Sequence, residues 1–320
     1  MAVQIAVIDD WQDVARDVAD WSALDGVGQV TFLHDYPAAP DTLAARLQRF
    51  EVICVMRERT AFDAALLRRL PNLKLLLTGG MRNAALDLKT AAELGIQVCG
   101  TESYKHAAPE LTWALIMALS RNLVQEANAL RAGLWQQGLG GDLHGKTLAV
   151  LGLGSIGTRV AQFGQVFGMR VIAWSENLTA ERAAQVGVTY VSKQALFEQA
   201  DILSVHLVLS ERSRGLVDAQ ALGWMKPTAL LVNTARGPIV DEAALIDALR
   251  HKRLAGAALD VFAQEPLPTD HPFRTLDNVL ATPHVGYVSR QNYQQFYAQM
   301  IEDLLAWAAG KPIRLMTAAG

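Results

Sequence analysis

The sequence predicts an α/β protein built on doubly wound parallel sheets. Three observations carry that expectation. Apolar, strand-like runs alternate with helix-period segments along most of the 320 residues. The runs are apolar at successive positions, as in strands covered by helices on both faces. One of them, ending at Leu151, passes through a glycine-rich turn into an amphipathic helix. A domain typically holds about 100–200 residues, so a chain of this length points to two.

The elements follow in order. Runs at 3–8, 30–33, 52–56, 73–77 and 97–99 read as strands. The stretches 43–50, 64–70 and 86–94 between them place apolar residues at helical spacing. A long helix is expected from His106-Ala107-Ala108-Pro109 through Leu111, Leu115 and Leu119 and on toward Leu130. Proline is acceptable in the first turn, whose N–H groups lack intrahelical partners. Residues 134–145 form a polar, glycine-rich loop. A second strand series follows at 146–151, 170–174, 202–205, 229–233, 257–261 and 279–281, with a last amphipathic helix over 291–307.

Hydrophobic residues make up 51 % and charged residues 19 %, enough for a sizeable core and against disorder. The net charge of −3 supplies no basic face for nucleic acid. Cys54 and Cys99 lie in apolar strand-like runs and are expected to be buried free thiols in a reducing compartment. No Cys-x-x-Cys or histidine-rich spacing suggests a metal. The N-terminus lacks a basic region followed by a long apolar stretch, and no apolar run reaches the ~18 residues of a membrane span. A soluble cytoplasmic protein is the expectation, with no membrane partner.

Leu151-Gly152-Leu-Gly154-Ser155-Ile156-Gly157 fits the G-x-G-x-x-G pattern in the context its chemistry requires, between a strand and a helix. Gly152 permits the tight turn. Gly154 lets the backbone approach a pyrophosphate, and Gly157 lets helix and strand pack closely. The helix N-terminus then offers free N–H groups and a positive dipole end to the phosphates. The next strand ends at Trp174-Ser175-Glu176. An acid at this place normally binds the ribose 2′-OH and selects NAD. Here Ser175 stands first and Glu176 follows, with no adjacent Arg or Lys for a 2′-phosphate. The lean is to NAD, with NADP left open.

Three polar residues follow apolar runs where ligands collect at the carboxyl edge of such sheets. They are Arg236 in Asn233-Thr234-Ala235-Arg236-Gly237, Glu265 in Asp260-Val-Phe-Ala-Gln-Glu265-Pro266, and His284 in Thr282-Pro283-His284-Val285-Gly286. His206, after another run, reads as a structural or cofactor-neighbouring residue. With the glycine turn, these motifs resemble the D-isomer-specific 2-hydroxyacid dehydrogenase family over nearly the whole chain.

The resemblance implies two Rossmann-like doubly wound domains with a cleft between them. The substrate domain would comprise residues 1–101 and 286–320, and the NAD-binding domain residues 102–285. It implies interconversion of a D-2-hydroxyacid and its 2-oxoacid, as in 3-phosphoglycerate dehydrogenases or glyoxylate and hydroxypyruvate reductases. Arg236 would hold the substrate carboxylate through its planar fork. His284 would act as general acid and base, and Glu265 would pair with it. Thr112, His206, Thr234, Ala235, Asp260 and Gly286 would join Gly152, Gly154, Ser155, Ile156, Gly157, Ser175 and Glu176 around the cofactor.

On the substrate side, Gly79 and Gly80 match a loop whose amides bind the carboxylate, and Arg57 matches an arginine that meets a distal phosphate or acid. The substrate would be a small anionic acid. A homodimer is expected through the linking helix and the loop after it, a contact that the apolar stretch Leu111–Leu119 and Trp135 fit, although an intrachain core accounts for them as well. A corepressor-like dinucleotide-binding module without turnover is the alternative.

Overall fold

A computed structural model describes residues 2–35 and 39–318. The chain divides into two compact units, Met1–Tyr104 with Val288–Gly320, and Lys105–Tyr287.

The first unit holds β1 (Val3–Val7), β2 (Gly28–Phe32), β3 (Val52–Val55), β4 (Leu75–Thr78) and β5 (Gln97–Gly100). All pair in parallel, in the order β2-β1-β3-β4-β5. Every residue of β3 and β4 is buried, which explains their unbroken apolar sequences. The strand order reverses at β1 and β3. This topological switch sets the loop after β1, with Asp9, beside the loop after β3, with Arg57 to Thr60. The helix Arg290–Ala308 returns the chain to this unit and buries Phe296, Tyr297, Met300 and Leu304. Its N-terminus is capped by Ser289, whose hydroxyl accepts the Asn292 N–H.

The second unit holds β6 (Thr147–Leu151), β7 (Arg170–Trp174), β8 (Thr189–Tyr190), β9 (Ile202–Val205), β10 (Leu230–Asn233), β11 (Gly256–Leu259) and β12 (Val279–Ala281). The sheet is parallel throughout, ordered β12-β11-β10-β9-β6-β7-β8. Alternation splits β6 between two cores: Ala149 and Leu151 join one cluster, Leu148 and Val150 the other. Here the switch lies between β6 and β9, so the loops after these strands face one crevice.

Two features differ from expectation. The long helix is two helices, Ala107–Ser120 and Leu123–Arg131. Asn122 takes a left-handed conformation at φ 52° between them, and the Ser120 carbonyl accepts the Gly141 N–H at 2.7 Å instead of continuing the ladder. Asparagine tolerates this conformation better than most residues. The second difference is β8, two exposed residues with no apolar run to announce them. Among the described residues, no helix is long and apolar enough to cross a membrane.

Candidate active site

The glycine turn does three separate things. Gly152 sits at φ +102°, and a Cβ there would come within 2.9 Å of the His206 carbonyl. Gly157 lies against the Gly152 oxygen, which a Cβ would meet at 2.0 Å. Gly154 differs: a Cβ on it would meet nothing within 4 Å. The first and last glycines are therefore demanded by the chain's own packing. The middle one borders open space, as a cradle for a pyrophosphate requires. Gly154 caps the helix Ser155–Val166, and Gly154, Ser155 and Ile156 are exposed. The first amides of that helix have no intrahelical carbonyl to bond and form an anion-binding end.

Across the switch, His206 follows β9, and its Nε2 lies 2.7 Å from the Ser204 hydroxyl. Burial pushes its pKa down to about 3, so the ring is neutral at ordinary pH. Ser175 is half-buried at the end of β7, and Glu176 beyond it is exposed. The Trp174 carbonyl accepts the Gly152 N–H at 2.9 Å and ties this strand end to the turn.

Arg236, Glu265 and His284 follow the adjacent strands β10, β11 and β12, whose ends are in register through Asn233, Leu259 and Ala281. Asn233 shapes the first loop. Its amide donates to the Arg236 carbonyl at 3.0 Å, and its Oδ1 accepts the Ala235 N–H at 3.0 Å. Arg236 donates through Nη1 to the Ala235 carbonyl at 2.7 Å. Gly237 is needed behind it, because a Cβ would lie 2.0 Å from the Phe262 backbone.

Glu265 accepts the Phe262 N–H through Oε1 at 2.9 Å, and its Oε2 lies 2.6 Å from Nδ1 of His284. The carboxylate thus fixes the ring through its Nδ1 edge. His284 holds φ 52°, a conformation uncommon for a side-chain-bearing residue and found at functional sites.

Asp260 has no exposed surface. Its carboxylate accepts the Thr282 hydroxyl at 2.6 Å and the amides of Val285 and Gly286, both at 2.8 Å. Burial pushes its pKa up, against those hydrogen bonds and the nearby His284. Where the sequence suggests a cofactor contact, the structure places a buried anchor for the loop carrying His284. The Gly286 amide is committed to the same anchor. Thr112 is likewise fully buried, its hydroxyl lying between the Ala108 carbonyl and the Thr234 hydroxyl, each at 2.8 Å. It stands behind Thr234 and is a support, not a surface contact. Asn233, Thr282 and Ser204 carry supporting roles that residue type alone does not announce.

In the first unit, two amides of the expected carboxylate loop are engaged within the chain. The Gly79 N–H donates to the Val55 carbonyl at 3.3 Å, and the Gly80 N–H to the Thr101 hydroxyl at 2.9 Å. Those two amides are occupied. The next two, of Met81 and Arg82, have no hydrogen-bond partner among the described residues.

Residues 113–286, more than half the chain, match the family described as D-isomer specific 2-hydroxyacid dehydrogenase, NAD binding domain. The chain belongs to the D-isomer-specific 2-hydroxyacid dehydrogenases. A glyoxylate reductase of Aeropyrum pernix is 40 % identical over 78 % of this dehydrogenase and 77 % of its own length. A D-3-phosphoglycerate dehydrogenase of Mycobacterium leprae is 36 % identical over 80 % of this chain, which covers 49 % of that relative. Among solved structures, a putative D-3-phosphoglycerate dehydrogenase from Ralstonia solanacearum superposes with a TM-score of 0.93 at 36 % identity, covering 98 % of this chain and 96 % of that one. This dehydrogenase is accordingly an NAD-dependent 2-hydroxyacid oxidoreductase acting on CH–OH groups. The open Gly154 cradle and the uncommitted helix amides fit the dinucleotide.

Proposed function

We propose that the chain reduces a short 2-oxoacid of the glyoxylate or hydroxypyruvate class to its D-2-hydroxyacid, with His284 as proton donor. The observation that carries the proposal is the 2.6 Å contact between Glu265 Oε2 and His284 Nδ1. A carboxylate there holds the ring in one orientation and stabilises it when it carries both protons. Nε2 of His284 then gives its proton to the carbonyl oxygen and takes it back in the reverse direction. Arg236 binds the C1 carboxylate and draws electron density from the 2-oxo carbon. The nicotinamide, when bound, supplies or accepts the hydride. The relatives compared carry enzyme names, and no observation favours the corepressor alternative.

The experiment is an NADH oxidation assay over glyoxylate, hydroxypyruvate, 3-phosphohydroxypyruvate and longer 2-oxoacids. Turnover of the short acids supports the proposal. NADH binding without turnover of any 2-oxoacid would sink it.

We also propose a homodimer covering the helix Leu123–Arg131 and the loop after it. No residue of that helix is buried, and the loop exposes Trp135 at 74 % and Leu139 at 97 %. Clustered exposed apolar side chains of this kind mark association surfaces. The two free thiols fit a reducing, cytoplasmic setting.

A further inference from the structure

The guanidinium of Arg57 is built into the turn after β4. Its Nη1 donates to the Gly79 carbonyl at 3.1 Å and reaches the Arg82 carbonyl at 3.5 Å. A Cβ on Gly80, which sits at φ +88°, would lie 1.9 Å from the same nitrogen. Only a glycine leaves room for the guanidinium to lie against the chain there. The return contact is equally specific, because Asn83 donates from Nδ2 to the Arg57 carbonyl at 2.7 Å and to the Thr78 hydroxyl at 2.9 Å. The Arg57 side chain is only 16 % exposed, and Glu58 Oε2 lies 3.9 Å from its Nη2.

These contacts lace the loop after β3 to the turn whose Met81 and Arg82 amides stand uncommitted. We propose that Arg57 is a positioning residue for the substrate's C1 carboxylate, and not the ligand of a distal phosphate. It fixes the peptide planes of the 79–82 turn so that two successive amides face one anion, and it sets a positive charge beneath them. Selectivity then falls on the 2-oxoacid end common to short substrates, with no premium for a second anionic group. This inference rests on the 2-hydroxyacid reading of the site.

The test compares wild type with Arg57→Ala, Arg57→Lys and Gly80→Ala, using NADH with glyoxylate and with 3-phosphohydroxypyruvate. Circular dichroism and thermal melts confirm folding. Arg57→Ala is expected to raise KM for both substrates by the same factor, about tenfold or more, because a charged donor to a turn carbonyl is lost. kcat and the KM for NADH stay unchanged. Lysine keeps charge without the fork and is expected to rescue only in part. Gly80→Ala should raise KM for both substrates as well, because it displaces the guanidinium and strains a turn residue held at φ +88°. A KM increase confined to the phosphorylated substrate would overturn the proposal, as would an unchanged KM for both. If wild type turns over neither acid, the short-oxoacid reading fails and calorimetric binding of oxalate decides the brace. Weaker oxalate binding by Arg57→Ala supports the brace, and equal binding overturns it.

Discussion

Thr282 donates its hydroxyl to the fully buried Asp260 at 2.6 Å, and this contact helps hold His284 at its left-handed backbone position. The same carboxylate takes the two amides just after the histidine. His284, the proposed acid–base residue, is thus aimed by a group that has no exposed surface of its own.

Asp260→Asn should misplace the loop, because Val285 and Gly286 donate to different carboxylate oxygens and an amide nitrogen in place of either one accepts nothing. Leaving one such group buried without a partner costs about 1–3 kcal/mol. Urea unfolding should register that loss, and kcat should drop by at least roughly tenfold while NADH binding persists. A variant with normal kcat would show that the anchor does not position the histidine.

The glycine turn separates packing from binding. Gly157→Ala brings a Cβ to 2.0 Å of the Gly152 oxygen and should destabilise the second unit. Gly154→Ala has room within the chain and should melt close to wild type. It should nonetheless weaken NADH by about tenfold or more, since a methyl group then occupies the phosphate's approach. Fluorescence titration beside thermal melts checks both. Equal affinity in Gly154→Ala would remove the pyrophosphate from this turn.

Much of this was legible in the sequence. Alternating runs disclosed both parallel sheets, and strand–turn–helix context made Gly152, Gly154 and Gly157 readable as a set. Hydrogen-bond commitments were not legible. The amides of Gly79 and Gly80 read as donors for an anion because glycine permits close approach, yet Val55 and Thr101 take them. Whether an amide is spent on a neighbouring strand depends on register, which residue type does not encode. The burial of Asp260 and Thr112 was not legible for a related reason. A polar residue beside a site reads as a contact, and only burial separates a contact from a support. The helix break at Asn122 was hidden because apolar periodicity continues across it.

Asp9 makes stability depend on pH. Burial raises its pKa from 3.8 to about 6, partly offset by the Thr60 hydroxyl at 2.6 Å and the Arg59 charge. A carboxyl with a raised folded pKa contributes stability that is full below the unfolded value of 3.8 and is lost as pH rises through about 6. Asp9→Asn, which can still accept from Thr60, should therefore be more stable than wild type at about pH 8, by about 1–3 kcal/mol, and nearly equal at about pH 4. Chemical denaturation at the two pH values measures it. A stabilisation that is the same at both would refute the assignment.

Neither thiol should react in the folded state. Cys54 and Cys99 are buried, and burial pushes the Cys99 thiol up to about 12 and that of Cys54 higher still. Ellman's reagent should find both thiols only after denaturant is added. Rapid labelling of the native protein would contradict this.

The exposed loop bears on assembly. Trp135→Asp with Leu139→Asp should shift the sedimentation coefficient from dimer toward monomer. A wild-type protein that sediments as a monomer at all concentrations would end the dimer proposal.

On the proposed reading, His284 moves the proton while Glu265 holds the imidazole ring in place. The most direct measurement is kcat for His284→Ala with the short 2-oxoacid that wild type reduces best, alongside the Kd for NADH. Loss of a positioned general acid should lower kcat roughly 100- to 10,000-fold with the NADH Kd unchanged. Turnover within a few-fold of wild type would contradict the account.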